Sequence, residues 1–99
     1  MIEEAVKEYT VADRLIAEGA EFEIQGNLIA ASGKYTAAVS ADPDCADAYD
    51  ALLDCYGKIK KDYRINGLPV KGIDAKINFL LRTGMKEEFY SRCNAVLIG

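Results

Sequence analysis

Asp42-Pro43-Asp44 stands between two stretches of helical pattern, and the residues around it recur. Ala12 and Ala46, Asp13 and Asp47, Leu15 and Tyr49, Ala17 and Ala51, and Phe22 and Tyr56 all lie 34 positions apart. Proline removes a backbone donor and drives the residue before it out of the helical region, so it marks a joint between helices. A helix duplicated at this period, with a second helix and a proline joint between the copies, predicts a stack of helical pairs. One pair cannot bury its apolar face alone, so the rest of the chain must supply covering units.

The apolar spacing places about five helices. Steps of three and four through Ile2, Ala5, Val6, Tyr9, Ala12, Leu15, Ile16, Gly19 and Phe22 predict one unbroken helix over 2–25. A capping box at Thr10 and Asp13 is the alternative start. Gly26-Asn27 reads as a stop and a restart, since Gly suits the left-handed position after a helix and Asn caps the next. A second helix over 28–41 turns Ile29, Ala31, Tyr35, Ala38 and Val39 inward. Gly33 inside it costs about 1 kcal/mol against Ala, and a glycine there lets a neighbouring helix come close. Asp44 is the expected N-cap of a third helix over 45–60, with Lys58, Lys60 and Lys61 gathered at its end. The stretch 61–72 carries Asn66-Gly67, Pro69 and Gly72 and reads as an inserted loop. A fourth helix over 73–83 faces Ile73, Ile77, Leu80 and Leu81 inward and ends at Gly84. A fifth over 86–98 uses Phe89, Cys93, Val96 and Leu97. Period-two alternation is missing, so no strand is expected.

On these residues the chain resembles the tetratricopeptide repeat family. Leu15 takes the bulky place of the first helix, Gly19 the glycine, Phe22 the aromatic and Gly26 the turn. Ala31, Tyr35 and Ala38 take the second-helix places, and Pro43 the closing proline. Glu18 departs from the usual Leu. The second copy keeps Tyr49, Leu52 and Tyr56, holds Leu53 at the glycine place, and has Ile65 and Pro69 where Ala and the aromatic belong. The resemblance covers 12–57 and is divergent elsewhere. It implies an all-α fold of antiparallel hairpins stacked as a short right-handed superhelix. The expected organisation is a single domain over 1–99: a first repeat at 12–45, a divergent second at 46–83, and a cap at 85–99 that leaves Phe89, Val96 and Leu97 exposed if it covers the stack poorly.

Chemistry is sparse in the side chains. The chain has no histidine, which excludes histidine catalysis and histidine metal ligation. Neither GxxxxGK[ST] nor GxGxxG occurs. Cys45, Cys55 and Cys93 lack CxxC spacing, so they suggest neither a zinc site nor a disulfide framework. Cys93 beside Arg92 has no base to activate it and reads as packing. The expectation is a protein that is not an enzyme and takes no cofactor. A net charge of −4 gives no attraction to nucleic acid or anionic lipid. No apolar run reaches the ~20 residues of a membrane helix. MIEEAVKEYT lacks the basic and apolar regions of a signal peptide, which favours the cytoplasm.

One constellation points to binding. Asp47, Asp50 and Asp54 at i, i+3 and i+7 share a stripe of the third helix, and Lys58 follows Asp54 by four. The matching stripe of the first helix holds Asp13, Ile16, Ala20 and Glu23. The bland alternative for these carboxylates is a solvated helix face. They lie on a helix, not in an oxygen-lined loop, which speaks against calcium. In the repeat family this stripe faces the concave groove where peptides bind. The resemblance therefore implies an adaptor that takes a basic and apolar segment of a partner protein. The alternative is a structural protein that self-assembles into a homo-oligomer through its incomplete repeat end.

Overall fold

Thr10 and Asp13 begin the first helix of the computed structural model, which describes residues 9–83 and 85–98. The Thr10 hydroxyl accepts from the Asp13 N–H, and the Asp13 carboxylate accepts from the Thr10 N–H, both at 3.1 Å. This box satisfies two orphan donors reciprocally and holds Thr10 extended, so α1 is Val11–Ile24. The unbroken helix expected over 2–25 is thus corrected: Tyr9 and Thr10 are non-helical, and 2–8 lie outside the described residues. At the other end of α1, Gly26 takes φ +80°. Its N–H donates to the Glu23 carbonyl at 2.9 Å, and the Asn27 N–H donates to that of Phe22 at 2.8 Å. These two bonds close a Schellman motif. The Asn27 side-chain oxygen then accepts from the Ala30 N–H and starts α2, Leu28–Ala41.

The Asp-Pro joint works differently from expectation. The Asp44 N–H donates to the Asp42 carboxylate at 3.1 Å across Pro43. This turn leaves Cys45 at the N-cap of α3, Ala46–Ile65, without a side-chain cap bond, which corrects Asp44 as the cap. α3 also runs past its expected end at Lys60. Residues 61–65 are helical, so the connection is only 66–70 and the inserted loop expected over 61–72 is corrected. Asn66-Gly67 is a helix stop, not a loop interior. Gly67 has φ +69°, and the N–H groups of Gly67 and Leu68 donate to the Arg64 and Tyr63 carbonyls, repeating the motif that ends α1. α4 is Lys71–Arg82, capped at Thr83; Gly84, the expected stop, lies outside the described residues. A 3-10 turn at Glu87–Phe89 leads into α5, Tyr90–Ile98, in place of one helix over 86–98. The fold is all-α, with no strand among the described residues.

Small residues and aromatics interlock the helices. α1 and α2 pack antiparallel, with the Tyr35 ring lying across Gly19; a Cβ at Gly19 would meet the ring at 2.4 Å. Ala31, Ala38 and Ala48 are buried to 0% exposure, which brings α2 close to its neighbours. Tyr49 and Tyr56 of α3 fill the gaps, and Phe89 stacks on Tyr49 with ring centroids 4.9 Å apart. Phe89 is therefore buried, and Val96 and Leu97 are half-buried against the core, not an open patch. Ile29, expected inward, is 54% exposed. The molecule measures 54 × 32 × 17 Å, and 17 Å is the depth of two helix layers of about 10 Å each.

Lys60 joins three helices. It is only 2% exposed, with Nζ donating to the Val96 and Leu97 carbonyls at 2.7 and 3.0 Å. Nζ also stands 2.8 Å from Asp74 Oδ1, an ion pair that lacks hydrogen-bond geometry. Lys60 is expected at the C-terminal end of its helix; with α3 running to Ile65 it falls on the buried stripe between Tyr56 and Tyr63.

Two expectations follow for stability. Gly19→Ala forces the Tyr35 ring aside and should destabilise by about 1–3 kcal/mol in urea unfolding. Unchanged stability would show that the ring yields freely. Lys60→Met keeps the stem but strands the Asp74 carboxylate and two carbonyls, so a loss of about 2–4 kcal/mol is expected. Amide hydrogen exchange should locate the loosening in α4 and α5.

Candidate functional site

The exposed strip of α3 carries Asp47, Asp50, Asp54 and Lys58, between α1 on one side and α5 on the other. Lys58 Nζ donates to Glu23 of α1 at 2.9 Å and stands 3.1 Å from the Asp54 carboxylate. Across the strip, Arg92 of α5 donates to and ion-pairs with Asp50. The face is thus built by α1, α3 and α5 together. A cavity of about 470 Å³ opens between α3 and α5, lined by Asp54, Gly57, Lys58, Lys61, Ser91, Arg92 and Ala95 with Leu53 and Val96 beneath.

The eight residues singled out in the sequence fall into three groups. Glu23, Asp54 and Lys58 meet directly, and Asp50 joins α5 through Arg92. Asp47 is exposed one turn N-terminal to Asp50, and Ala20 is exposed on α1. Asp13 is engaged in the cap of α1, and Ile16 is half-buried against the core. The acidic character of the strip is therefore moderated by Lys58 and Arg92. The like charges of Asp50 and Asp54 each have a cation beside them, so their i, i+4 repulsion is relieved. Sequence reasoning overlooked Arg92 in this place, because it was weighed only as a neighbour of Cys93. The i+42 separation from Asp50 has no local signature.

The ionisable groups beneath the strip are held in their neutral forms. Burial, then the Glu23 carboxylate, push the Tyr35 phenol up. The Cys55 thiol is pushed up to about 12, first by burial and then by Glu23, and it donates to the Leu28 carbonyl at 3.4 Å. Burial raises the Cys93 thiol as well, which is the opposite of activation; it donates to the Met85 sulfur at 3.3 Å. Lys58 is pushed up by its bonds to Glu23 and then Asp54, so the bridge keeps its charge across the whole neutral range. Among the described residues no cluster of three or more Cys, Asp or Glu could hold a metal ion, and no helix is long and apolar enough to cross a membrane.

A second concavity was not foreseen. Between α2 and α4 lies a cleft of about 730 Å³ with Tyr49 and Tyr56 as its floor. Its walls carry Ile29, Val39, Phe79 and Leu80, and Lys76 is its one charged lining residue. Helical spacing assigns Ile29 to an inner face, and that signal cannot distinguish a core position from the wall of an open cleft.

Comparison with models of known protein families, with curated proteins and with solved structures gives no match to this chain.

The raised thiol and phenols fix the sign of the alkaline response. A folded-state value above the unfolded one contributes stability that is complete below the unfolded value and is lost as pH rises through the folded one. For Cys55 that window runs from 9.0 to about 12, and Tyr35, Tyr49 and Tyr56 act in the same direction. The melting temperature should therefore hold to about pH 9 and fall beyond it. A flat profile to about pH 11 would show that these groups titrate as they do in the unfolded chain. In the native protein a thiol reagent should modify Cys45 fast, and Cys55 and Cys93 only upon unfolding.

Proposed function

We propose that the chain is a small adaptor of tetratricopeptide-like fold. It binds a basic and apolar segment of a partner protein along the face shared by α1, α3 and α5. The observation that carries this reading is the convergence of Glu23, Asp50, Asp54, Lys58 and Arg92 from three helices onto one exposed strip. A bare solvated helix face needs no such register. The packing of Gly19 against Tyr35, with Ala31 and Ala38 fully buried, supports the repeat assignment, because these are the places where the resemblance sets small residues and an aromatic.

The mechanism is exchange of partners. Lys58 and Arg92 hold the carboxylates in place while the strip is empty. An incoming Lys or Arg competes for the same carboxylates, and an aliphatic anchor enters the cavity over Leu53 and Val96. Exposed ion pairs of this kind contribute little to folding, about 0–1 kcal/mol each, so they yield readily to a ligand. Electrostatic complementarity then sets the rate and selectivity of capture more than its strength. The carboxylates and the apolar floor both serve binding, with no catalytic role.

Two variants test this with a labelled peptide carrying alternate Lys and Leu. Asp47→Ala, Asp50→Ala, Asp54→Ala, with helicity unchanged, should weaken binding roughly tenfold or more and flatten its salt dependence. Arg92→Ala frees Asp50 and should tighten binding by a few-fold. Equal binding by all three proteins would remove the strip as the docking face.

A further inference from the structure

The cleft lies between α2 and α4; α3 runs five residues beyond its expected end before α4 begins, and Lys60 pairs with Asp74 of α4. On the α2 wall, Ile29, Ser32, Gly33, Thr36, Val39 and Ser40 recur at helical spacing. Two of the three hydroxyls there donate within α2. Ser32 donates to the Ile29 carbonyl at 2.7 Å, and Thr36 donates to that of Ser32 at 2.8 Å. A Cβ at Gly33 would have nothing within 4 Å among the described residues, so this mid-helix glycine weakens α2 without admitting a described neighbour. On the α4 wall, Phe79 is 58% exposed, facing a wall whose Ile29 is 54% exposed. Charge distinguishes this cleft from the α1/α3/α5 strip. Lys76, Lys71 and Arg82 of α4 form no ion pair among the described residues, and the one acid of α4, Asp74, is held by Lys60. The cleft is therefore apolar with one charged lining residue, Lys76, that has no acid partner among the described residues, in a chain whose net charge is −4.

We infer that the cleft is a second docking site, and that its occupant is an amphipathic helix of a partner protein whose apolar anchors are flanked by acidic residues. The walls run over 29–40 of α2 and over 75–83, α4 with its cap, or roughly 12–18 Å, which accommodates two to three turns of helix. Anchors spaced at i, i+3 and i+7 would lie over Gly33, Phe79 and the two tyrosines, with a carboxylate reaching Lys76. A second copy of this chain fits less well: two α4 helices meeting across the cleft would oppose Lys76 to Lys76 without an acid between them. The protein would thus join two partners of opposite charge preference, one on each face.

The test uses fluorescence anisotropy with a labelled helical peptide of about 18 residues carrying Leu and Phe anchors flanked by Glu, and a twin with Lys in place of every Glu. The Glu peptide should bind at least roughly tenfold more tightly than its twin. Lys76→Glu should reverse that order. Gly33→Leu, whose Cβ meets no described atom within 4 Å and whose side chain enters the cleft, should abolish binding while circular dichroism and melting remain native or improve. The Asp47/Asp50/Asp54 triple alanine variant should bind the Glu peptide as the wild type does, which separates this site from the other face. Equal binding of the two peptides, or binding that survives Gly33→Leu, would overturn the proposal. So would a concentration-dependent dimer in sedimentation that Gly33→Leu abolishes, because a second copy would then be the occupant.

Discussion

A buried ammonium organises the second half of this protein. Lys60 cannot leave its charge in an apolar layer unpaired, so it must gather acceptors, and those acceptors come from two other helices. The Val96 and Leu97 carbonyls belong to the last turn of α5, where carbonyls lack partners and the helix dipole is negative. Asp74 belongs to the first turn of α4, where a carboxylate is favoured. One cation thus satisfies the end of one helix and engages the start of another, while its stem lies on the core face of α3. The geometry leaves α4 little freedom. Beside it, Tyr49 and Tyr56 are buried in the core and form the floor of the cleft between α2 and α4.

The same placement separates two surfaces of different chemistry. On the strip of α3, acids and bases alternate and each carboxylate but Asp47 has a cation at hand among the described residues. On the cleft, apolar walls meet one cation, Lys76, that has no ion-pair partner among the described residues. Net charge describes neither surface, because paired charges on one face cancel locally while the unpaired one on the other does not. Ion pairs over the strip hold it in a ready arrangement at little energetic gain. Over the cleft, exposed Ile29 and Phe79 leave apolar area in water that only an occupant would remove.

Much of the first hairpin was legible because its signals are local. Gly26-Asn27 announces a stop and a cap within two residues, and the structure places both there. Ala31, Tyr35 and Ala38 repeat with helical period and are buried as that period requires. The second hairpin was misread at one residue. Lysine at position 60 counts as polar, so the apolar pattern of the sequence lapses there and predicts an end to α3 a turn before Ile65. Read as a core position, Lys60 continues Tyr56 to Tyr63 at helical spacing, and Asn66-Gly67 becomes a stop of the kind that was recognised at Gly26-Asn27. The Thr10 box was seen but ranked below an unbroken apolar period; two reciprocal hydrogen bonds outweighed that period. Glu23 and Lys58 could be placed on their own helices, but their meeting depends on the crossing of α1 and α3, which no local pattern encodes.

Gly19 and Gly33 make the limits of such reading concrete. Both lie inside helices, both lower helix stability by about 1 kcal/mol against alanine, and both read in the sequence as places where something comes close. Only one is answered within the chain. At Gly19 the Tyr35 ring occupies the space of the missing side chain, so tight packing between α1 and α2 offsets the weakness. At Gly33 no described residue occupies the space, and the helix is weakened with no packing in return among them. The described fold gives no reason for the second glycine, since alanine there would meet none of its residues and would strengthen α2. The difference between the two lies in what surrounds them, and at Gly33 the surroundings are an apolar cleft with one cation, Lys76, in its lining. The monomer leaves that position unexplained, and a helix seated in the cleft would explain it by the same close approach that Gly19 allows to Tyr35.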